Sequence, residues 1–374
     1  MKACVTGATG FLGAHLVDHL VKRRVEVRAT YRDKSRLTRL GPVATKVDAV
    51  KADVLDGRSM RRAFKGCDVV FHTAGYVGAN PPARVWEMNA LSPRLAVEAA
   101  AAAGVPRLVL TSSIAAVGAA GPDGQPVRED QPYLASRLRL TYGDAKHEGE
   151  VEAMAAAGRT GVEVIIVNPA YVLGAPIDRS ERGETSTRIV GNYLRGRLPA
   201  IVDGGASIVD VRDVARGHLR AARRGKPGER YILAGHNVGW VELIDQVAQL
   251  SGIHHPLAVI PREAAGLLRA PADIGLPTGL LIDPEAYGLM AARWWASSAK
   301  AQRKLDYRFG GLEETLGSTI EWYTELIDTG AFEDDGTSRM ALLAAGMRAG
   351  ERLGLVRLMQ AAERRTGRRL VAGA

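Results

Sequence analysis

The amino-acid sequence predicts an α/β fold in which a doubly wound parallel sheet carries helices on both faces. An apolar run at residues 3–5 enters a glycine-rich turn, and Leu12, Leu16 and Leu20 follow it at helical spacing. Further short apolar runs alternate with helical stretches along the first half of the chain. Several of these runs, such as residues 108–110 and 164–167, are entirely apolar, which is typical of parallel strands covered on both faces. The right-handed crossover rule then places a ligand at the carboxyl ends of the strands.

The turn after the first predicted strand has glycines three residues apart, at Gly7, Gly10 and Gly13. Gly7 would make the tight turn, Gly10 would let the backbone approach a pyrophosphate, and Gly13 would let the helix pack closely on the sheet. The helix N-terminus then offers free N–H groups to the phosphates. Because strand, turn and helix occur in that order, we predict a Rossmann-type nucleotide site rather than a tight turn without a ligand. Its candidate residues are Gly7, Thr9, Gly10, Phe11, Leu12 and Gly13.

Residues 1–169 are predicted to form the dinucleotide-binding domain. Its strands are expected at residues 3–5, 25–30, 47–54, 69–72, 108–110 and 162–167. Its further helices are expected at residues 59–64 and 85–103, the second ended by Gly104 and Pro106. A segment near 205–235 is expected to return to this domain, with a helix that begins within 209–214 and a strand at 231–233.

The remaining residues are predicted to form a smaller substrate-binding region and a tail. Residues 170–204 and 236–330 make the substrate-binding region, in which 178–187 are polar and 255–288 are rich in Pro, Gly and Ala. We expect the segment 255–288 to cap the substrate side. Residues 331–374 are predicted to be an acidic, glycine-containing linker followed by a basic helical extension at 339–370.

Composition excludes several classes of protein. The chain has 374 residues and 46% hydrophobic content, enough for one large domain or two modest ones. It has no run of 18 uncharged apolar residues, so we expect no membrane-spanning helix. The fold is expected to begin at residue 2, without a signal peptide, and Cys4 and Cys67 lie at predicted core strands, which favours free thiols and a cytoplasmic location. The net charge is +9 and the sequence pI about 9.7, but no nucleic-acid motif occurs, so we predict neither a nucleic-acid partner nor a metal site.

Three polar motifs are expected at one crevice: residues 111–113, which follow the fifth predicted strand, residues 168–169, which follow the sixth, and Tyr142 with Lys146 between them in the sequence. Tyr142 and Lys146 are four residues apart and therefore share one face of a helix. Hydride transfer between a nicotinamide and a carbon that bears oxygen requires a proton to move to or from that oxygen, and a tyrosine can provide it. A nearby lysine ammonium favours the phenolate, and a serine hydroxyl can hold the substrate oxygen. An exposed helix pair alone would be uninformative; the three motifs together predict an oxidoreductase site.

With these motifs the sequence resembles the extended short-chain dehydrogenase/reductase superfamily, also described as NAD-dependent epimerases/dehydratases. The resemblance covers about residues 2–328 and rests also on Asp53-Val54, residues 72–74 and Asn89. Within the superfamily it is nearest to dihydroflavonol-reductase-like proteins and the bacterial hopanoid-associated sugar epimerase group, with residues 228–235 and 297–301 contributing.

The resemblance implies a role for each candidate site residue. Tyr142 would be the acid/base, Lys146 its partner, and Ser113 the ligand of the substrate oxygen, with Ser112 left open because the two serines are adjacent. It also implies a homodimer formed through two long helices that flank the sheet. The implied cofactor contacts beyond the glycine turn are Arg32, Asp53, Val54, Thr73, Ala74, Tyr142, Lys146 and Pro169.

The end of the second strand predicts which nicotinamide nucleotide binds. A carboxylate there would bind the ribose 2′-hydroxyl of NAD, but this position holds Tyr31 followed by Arg32. Arg32 can bind a 2′-phosphate through charge-assisted hydrogen bonds, although it would equally suit a solvated loop. We therefore predict a preference for NADP(H), with NAD(H) as the alternative. Asp53 and Val54 are expected beside the adenine; the alternative for Asp53 is an ordinary residue at a strand end.

The motifs favour a net reductase or dehydrogenase that acts on a carbonyl or secondary alcohol. Related dehydratases carry Thr-Asp-Glu after the fifth strand, where this chain has Thr111-Ser112-Ser113. Related 4-epimerases commonly carry a tyrosine beyond the serine, where this chain has the apolar residues 116–118. A nucleotide-sugar epimerase with tightly held NAD remains the first alternative, and a non-catalytic NADP-binding sensor or scaffold the second. Arginines and tryptophans in the substrate-side segments do not distinguish the substrates.

The extension beyond residue 338 is basic, with eight arginines against Glu351 and Glu363. Apolar residues are interleaved with the arginines, a pattern typical of helices that lie on anionic membrane surfaces. The alternative is a solvated tail helix packed on its own domain. Peripheral membrane contact is therefore an expectation with an open alternative.

Overall fold

The computed structural model describes residues 1–78, 80–133, 135–181, 186–264, 284–332 and 339–373. Within these residues the strands are β1 Lys2–Thr6, β2 Glu26–Tyr31, β3 Asp48–Lys51, β4 Val69–His72, β5 Arg107–Thr111, β6 Glu163–Pro169, β7 Tyr171–Leu173, β8 Ala200–Val202, β9 Gly205–Asp210, β10 Arg230–Leu233, β11 His236–Gly239, β12 Leu257–Ile260, β13 Arg293–Trp294 and β14 Val371–Ala372. The α-helices are α1 Phe11–Lys22, α2 Gly57–Phe64, α3 Pro82–Trp86, α4 Ser92–Ala102, α5 Thr141–Thr160, α6 Arg188–Leu194, α7 Val211–Arg224, α8 Trp240–Ser251, α9 Pro284–Ala291, α10 Ala299–Leu305, α11 Leu312–Asp328, α12 Arg339–Arg352 and α13 Leu355–Thr366.

A seven-stranded sheet with the order β10-β6-β5-β4-β1-β2-β3 organises the nucleotide-binding part. Every neighbouring pair in it is parallel. The order reverses between β1 and β4, and ligands of such sheets bind at this switch point, beyond the carboxyl ends of the strands. The predicted Rossmann-type, doubly wound parallel sheet is confirmed.

Two predicted elements differ in extent from those observed. The strand expected at 47–54 ends at Lys51, because the Asp53 carboxylate accepts a hydrogen bond from the backbone N–H of Leu55 (3.0 Å) and turns the chain. The helix expected at 85–103 is α3 and α4 joined by a wider π-type turn at Glu87–Leu91. Pro93 has no N–H to donate to the carbonyl of Asn89 four residues earlier, which explains the widening.

The later segments build two smaller sheets beside the main one. In one, β9 pairs with β7, β11 and β13; in the other, β12 lies between β8 and β14. The chain returns to the main sheet where β10 pairs with β6, and Asp210 caps α7 by accepting from the N–H of Arg212 (2.7 Å). Parts of the predicted polar loop 178–187, cap 255–288 and linker 331–338 lie outside the described residues.

The predicted helical extension is two helices rather than one. Gly354 separates α12 from α13 with a φ of +83°, and the chain ends in β14, which pairs with β12. Among the described residues, none of the helices combines the length and the apolar character needed to cross a membrane.

Candidate active site

The glycine turn has the shape needed to hold a dinucleotide pyrophosphate. Gly7 has a φ of +67°, and a Cβ there would lie 2.7 Å from the backbone of Ala74. A Cβ on Gly13 would lie 2.0 Å from the Gly7 carbonyl oxygen, so only glycine lets α1 start this close to the turn. Gly10 precedes α1 and places no side-chain cap over its first N–H groups. These N–H groups, at the positive end of the helix dipole, therefore fit phosphate oxygens.

A buried polar chain fixes the neighbouring strand ends. His72 is fully buried, and burial lowers its pKa to about 3, so the ring is neutral. Its Nε2 lies 3.2 Å from Ser92 Oγ and its Nδ1 2.9 Å from Thr6 Oγ1. Because Ser92 Oγ donates to the carbonyl of Met88 (2.8 Å), the ring donates to Ser92 and accepts from Thr6. Thr73 Oγ1 in turn donates to the Thr6 carbonyl (2.6 Å), which keeps Thr73 and Ala74 beside the glycine turn.

The end of β2 leaves an exposed arginine, followed by a carboxylate that caps the next turn. Arg32 is exposed, whereas Oδ1 of Asp33 accepts from both the backbone N–H and the hydroxyl of Ser35 (2.9 and 2.8 Å). Those two hydrogen bonds hold the pKa of Asp33 below its usual value. Asp33 therefore uses one of its carboxylate oxygens to cap the turn that follows Arg32. The Asp53 carboxylate likewise accepts a hydrogen bond from a backbone N–H, that of Leu55, and the neighbouring Val54 is buried.

Sequence reasoning did not single out Arg39, which also reaches the glycine turn. Its guanidinium donates to the carbonyl of Thr9 (3.0 Å) and pairs with Glu181 (2.7 Å). Arg39 comes from the irregular segment after β2 and Glu181 from the polar loop after β7. The pair therefore ties the glycine turn to the polar loop after β7.

The structure brings Ser113, Tyr142 and Lys146 together at the carboxyl end of β5. The Lys146 ammonium donates to the carbonyl of Thr111 (3.2 Å) and lies 6.0 Å from the centre of the Tyr142 ring. Burial raises the pKa of Tyr142, and a hydrogen-bonding interaction with the Ser113 hydroxyl acts in the opposite direction. Ser113 therefore faces the phenol, while Ser112 has a buried hydroxyl on the Glu150 side.

Lys146 is nearly buried, and burial lowers its pKa to about 8. The negative charge of Glu150, one helical turn further along α5, opposes that effect. A Cβ on Gly75 would lie 3.1 Å from both Lys146 Nζ and Asn89 Oδ1, so glycine at residue 75 leaves room for both side chains next to the backbone after β4. Asn89 is held there by two hydrogen bonds with the backbone of Tyr76 (2.8 and 3.1 Å).

Sequence reasoning also missed Glu150, a buried carboxylate behind the three candidate catalytic residues. Its Oε1 accepts from Asn168 Nδ2 (2.6 Å), and its Oε2 lies 3.3 Å from Arg230 Nη1. The same Asn168 Nδ2 donates to the carbonyl of Ser113 (3.0 Å). One carboxylate thus connects the lysine of α5, the end of β6 and the backbone of the serine. A carboxylate four residues after the lysine was the available signal.

Nucleotide cradle, serine, tyrosine and lysine together define an oxidoreductase-type enzyme of the extended short-chain dehydrogenase/reductase superfamily. The model of the NAD-dependent epimerase/dehydratase family matches residues 3–234, so the chain belongs to that family.

Comparison with individual proteins gives both reductases and epimerases. A putative dihydroflavonol 4-reductase of Synechocystis sp. is 31% identical over 338 residues, which are 85% of this chain and 93% of that protein. The crystal structure of a nucleoside-diphosphate-sugar epimerase from Pseudomonas aeruginosa is 26% identical with a TM-score of 0.71, covering 89% of this chain and 99% of that one. A Bacillus cereus UDP-glucuronic acid 4-epimerase solved with NAD shares the fold at 19% identity and a TM-score of 0.67, covering 87% and 99%.

Proposed function

We propose that this enzyme is a net NADP(H)-preferring reductase or dehydrogenase of a small-molecule carbonyl or secondary alcohol. The observation that carries the proposal is the grouping of Ser113, Tyr142 and Lys146 at the carboxyl end of β5, in the same sheet whose β1 enters the glycine turn, with apolar residues 115–117 buried next to Ser113. Tyr142 offers a proton donor and Ser113 an oxygen ligand, while residues 111–118 contain neither the acidic pair of a dehydratase nor the tyrosine common in 4-epimerases. The reductase among the relatives supports the same choice.

The proposed roles follow from what each group can donate. A bound nicotinamide supplies the hydride. Ser113 holds the substrate carbonyl oxygen, and the Tyr142 hydroxyl gives that oxygen its proton as the alcohol forms. The Lys146 ammonium stabilises the phenolate that remains, and it is positioned by the carbonyl of Thr111. Water then returns the proton to Tyr142, and in the oxidative direction each transfer is reversed.

The preference for NADP(H) over NAD(H) is supported by the environment of Arg32. Its guanidinium is exposed at the end of β2, where the ribose 2′ position of a nucleotide is expected, and Asp33 is engaged in its cap. A 2′-phosphate would find an arginine there, with Lys34 and Arg36 close by in the sequence. A nucleotide-sugar epimerase with retained NAD is the alternative, which the Pseudomonas relative favours.

We further propose that the protein is a cytoplasmic homodimer and that its tail contacts membranes. The two cysteines are free and buried, which suits a reducing compartment. The dimer would form through α4 and α5 on one face of the sheet, where Val151 is exposed.

The nucleotide that accompanies the purified protein tests the reaction. We expect denatured protein to release little nucleotide, and the empty protein to bind NADPH more tightly than NADH. Near-stoichiometric release of NAD(H), measured by mass spectrometry, would instead identify an enzyme that recycles its own hydride, as an epimerase does.

Two separate tyrosine substitutions then test whether Tyr142 is the acid/base. Tyr142→Phe should keep nucleotide affinity and lose turnover of NADPH with an aldehyde and ketone panel by about 10²- to 10⁴-fold. Tyr307→Phe is the matched control, because the buried Tyr307 hydroxyl has no hydrogen-bond partner among the described residues. If Tyr142→Phe keeps the protein's full biological effect, the non-catalytic alternative replaces the proposal.

A further inference from the structure

The tail exposes an unusual concentration of large apolar side chains. The exposed leucines of this segment are Leu342, Leu343, Leu353, Leu355 and Leu358. Leu353 is 87% exposed and Leu358 69%, which makes them the two most exposed large apolar side chains of the described residues. Water-exposed leucines this close together indicate a surface that is covered by something else in use.

Three of the exposed leucines, Leu353, Leu355 and Leu358, flank the turn between α12 and α13. Gly354 adopts a φ of +83° there, which ends α12 and changes the direction of the chain between Leu353 and Leu355. A Cβ on Gly350 would lie 3.0 Å from Leu355 Cδ2, so glycine at this position leaves room for the Leu355 side chain beside the end of α12. Leu358 follows one helical turn after Gly354, whose carbonyl accepts from its N–H (3.2 Å).

Positive charge accompanies these leucines. Arg352 and Arg357 are exposed within four residues of the turn, and Arg364, Arg365 and Arg368 are exposed further along. The described tail holds eight arginines against two glutamates. Of the two glutamates, Glu363 is engaged within the tail, where it accepts from the N–H groups of Leu370 and Val371 (2.6 and 2.8 Å).

The far end of the tail is fixed to the body of the protein. Val371 and Ala372 pair with β12, and Arg369 forms an ion pair with Asp245 (2.6 Å). The Tyr193 hydroxyl donates to the carbonyl of Gly373 (3.1 Å). A docking surface therefore has a fixed orientation relative to the enzyme, which a disordered basic tail would not give.

We propose that this two-helix tail docks the enzyme on the surface of an anionic bilayer. The leucines at the Gly354 turn enter the boundary between headgroups and acyl chains, and the neighbouring arginines bind lipid phosphates. The inference deepens the membrane contact proposed above and does not depend on the reaction. A second copy of the chain, the other occupant of such a surface, is an outcome of the test.

Vesicle flotation of the full-length protein tests the proposal. We expect the protein to float with phosphatidylcholine vesicles that contain about 30% phosphatidylglycerol, to remain below pure phosphatidylcholine vesicles, and to be released in about 0.5 M sodium chloride. The double variant Leu353→Ser/Leu358→Ser should lower the bound fraction about tenfold or more, and Arg352→Gln/Arg357→Gln should do the same. Leu250→Ser/Leu289→Ser, which alters two exposed leucines outside the tail, is the control and should bind as the unaltered chain does.

Three results would overturn the proposal. They are equal binding to neutral vesicles, unchanged binding of both tail variants, and a parent protein that stays unbound while Leu353→Ser/Leu358→Ser converts it from dimer to monomer in sedimentation. The last result would assign the surface to a second copy. NADPH affinity is measured on every variant and should not change, so that failure here stays separate from failure of the proposed reaction.

Discussion

Replacing Glu150 by glutamine is predicted to change the proton affinity of Lys146 without breaking the fold. Glutamine keeps an oxygen for Asn168 but removes the charge that faces Lys146 and Arg230. Because residues four apart on a helix are neighbours, the Glu150 carboxylate is expected about 6 Å from the Lys146 ammonium. With an effective dielectric constant near 20, the attraction lost in the variant is about 3 kcal/mol, which corresponds to about 2 units in the pKa of Lys146. The positive charge of Arg230 is present in both proteins and does not cancel the change, so we expect a downward shift of up to about 2 units.

The direction of the shift follows from the charges. Burial already lowers the pKa of Lys146 to about 8, and Glu150 opposes this, so the variant lysine should lose its proton nearer to neutral pH. The other groups that face Glu150 are His147 and the neutral Ser112 and Asn168, and the substitution leaves all of them in place. Nucleotide affinity, measured by NADPH fluorescence between about pH 6 and 10, should therefore weaken at lower pH in the variant than in the parent.

Glu152→Gln is the matched control, because Glu152 lies on the same helix but pairs with Arg94 at the surface (3.3 Å). It should leave the pH profile unchanged. Glu150→Gln should also lower the free energy of unfolding by about 1 to 3 kcal/mol, since a hydrogen bond to a buried charge is weakened. If Glu150→Gln lowers stability but its pH profile of NADPH affinity coincides with those of the parent and of Glu152→Gln, Glu150 has only a structural role and the charge argument is refuted.

Three further outcomes can be measured on the same protein. Arg32→Asp should weaken NADPH binding at least tenfold while sparing NADH, and unchanged NADPH affinity would remove Arg32 from the site. Gly13→Ala should abolish nucleotide binding, because its Cβ would lie 2.0 Å from the Gly7 carbonyl oxygen, whereas Gly158→Ala on an open helix surface should raise unfolding free energy by about 0.5 to 1 kcal/mol. His218 has its pKa lowered to about 4 by burial, so the folded state binds fewer protons than the unfolded one, and stability should fall as the pH drops from about 6.5 to 4. Thermal unfolding at pH 7 and 5 should show a smaller loss in His218→Gln than in the parent, while exposed His254→Gln should match the parent.

The sequence was sufficient for the sheet and for the residues on which the site proposal rests, since both depend on local patterns. A strand that runs into Gly7 and a helix that starts before Gly13 are recognisable from spacing alone. The choice between Ser112 and Ser113 was not, because adjacent residues at a strand end point in different directions and only the packed helix α5 shows which one faces Tyr142. The division of the helix at Glu87–Leu91 could have been expected from Pro93, whose missing N–H falls four residues after Asn89.

Contacts between segments far apart in the chain could not be predicted, and one of them completes the site. His218 of α7 holds the end of β5: its Nδ1 lies 2.8 Å from the carbonyl of Val214, and its Nε2 lies 2.8 Å from Thr111 Oγ1. Because a carbonyl can only accept, Nδ1 carries the proton and Nε2 accepts from the threonine. The carbonyl of that same Thr111 receives the Lys146 ammonium. The position of the lysine therefore depends on a helix about 70 residues further along the chain, joined by a neutral histidine that no spacing rule relates to Lys146. Helix α7, which the sequence predicts only as a segment that returns to the sheet, therefore helps to position Lys146, the proposed partner of the acid/base.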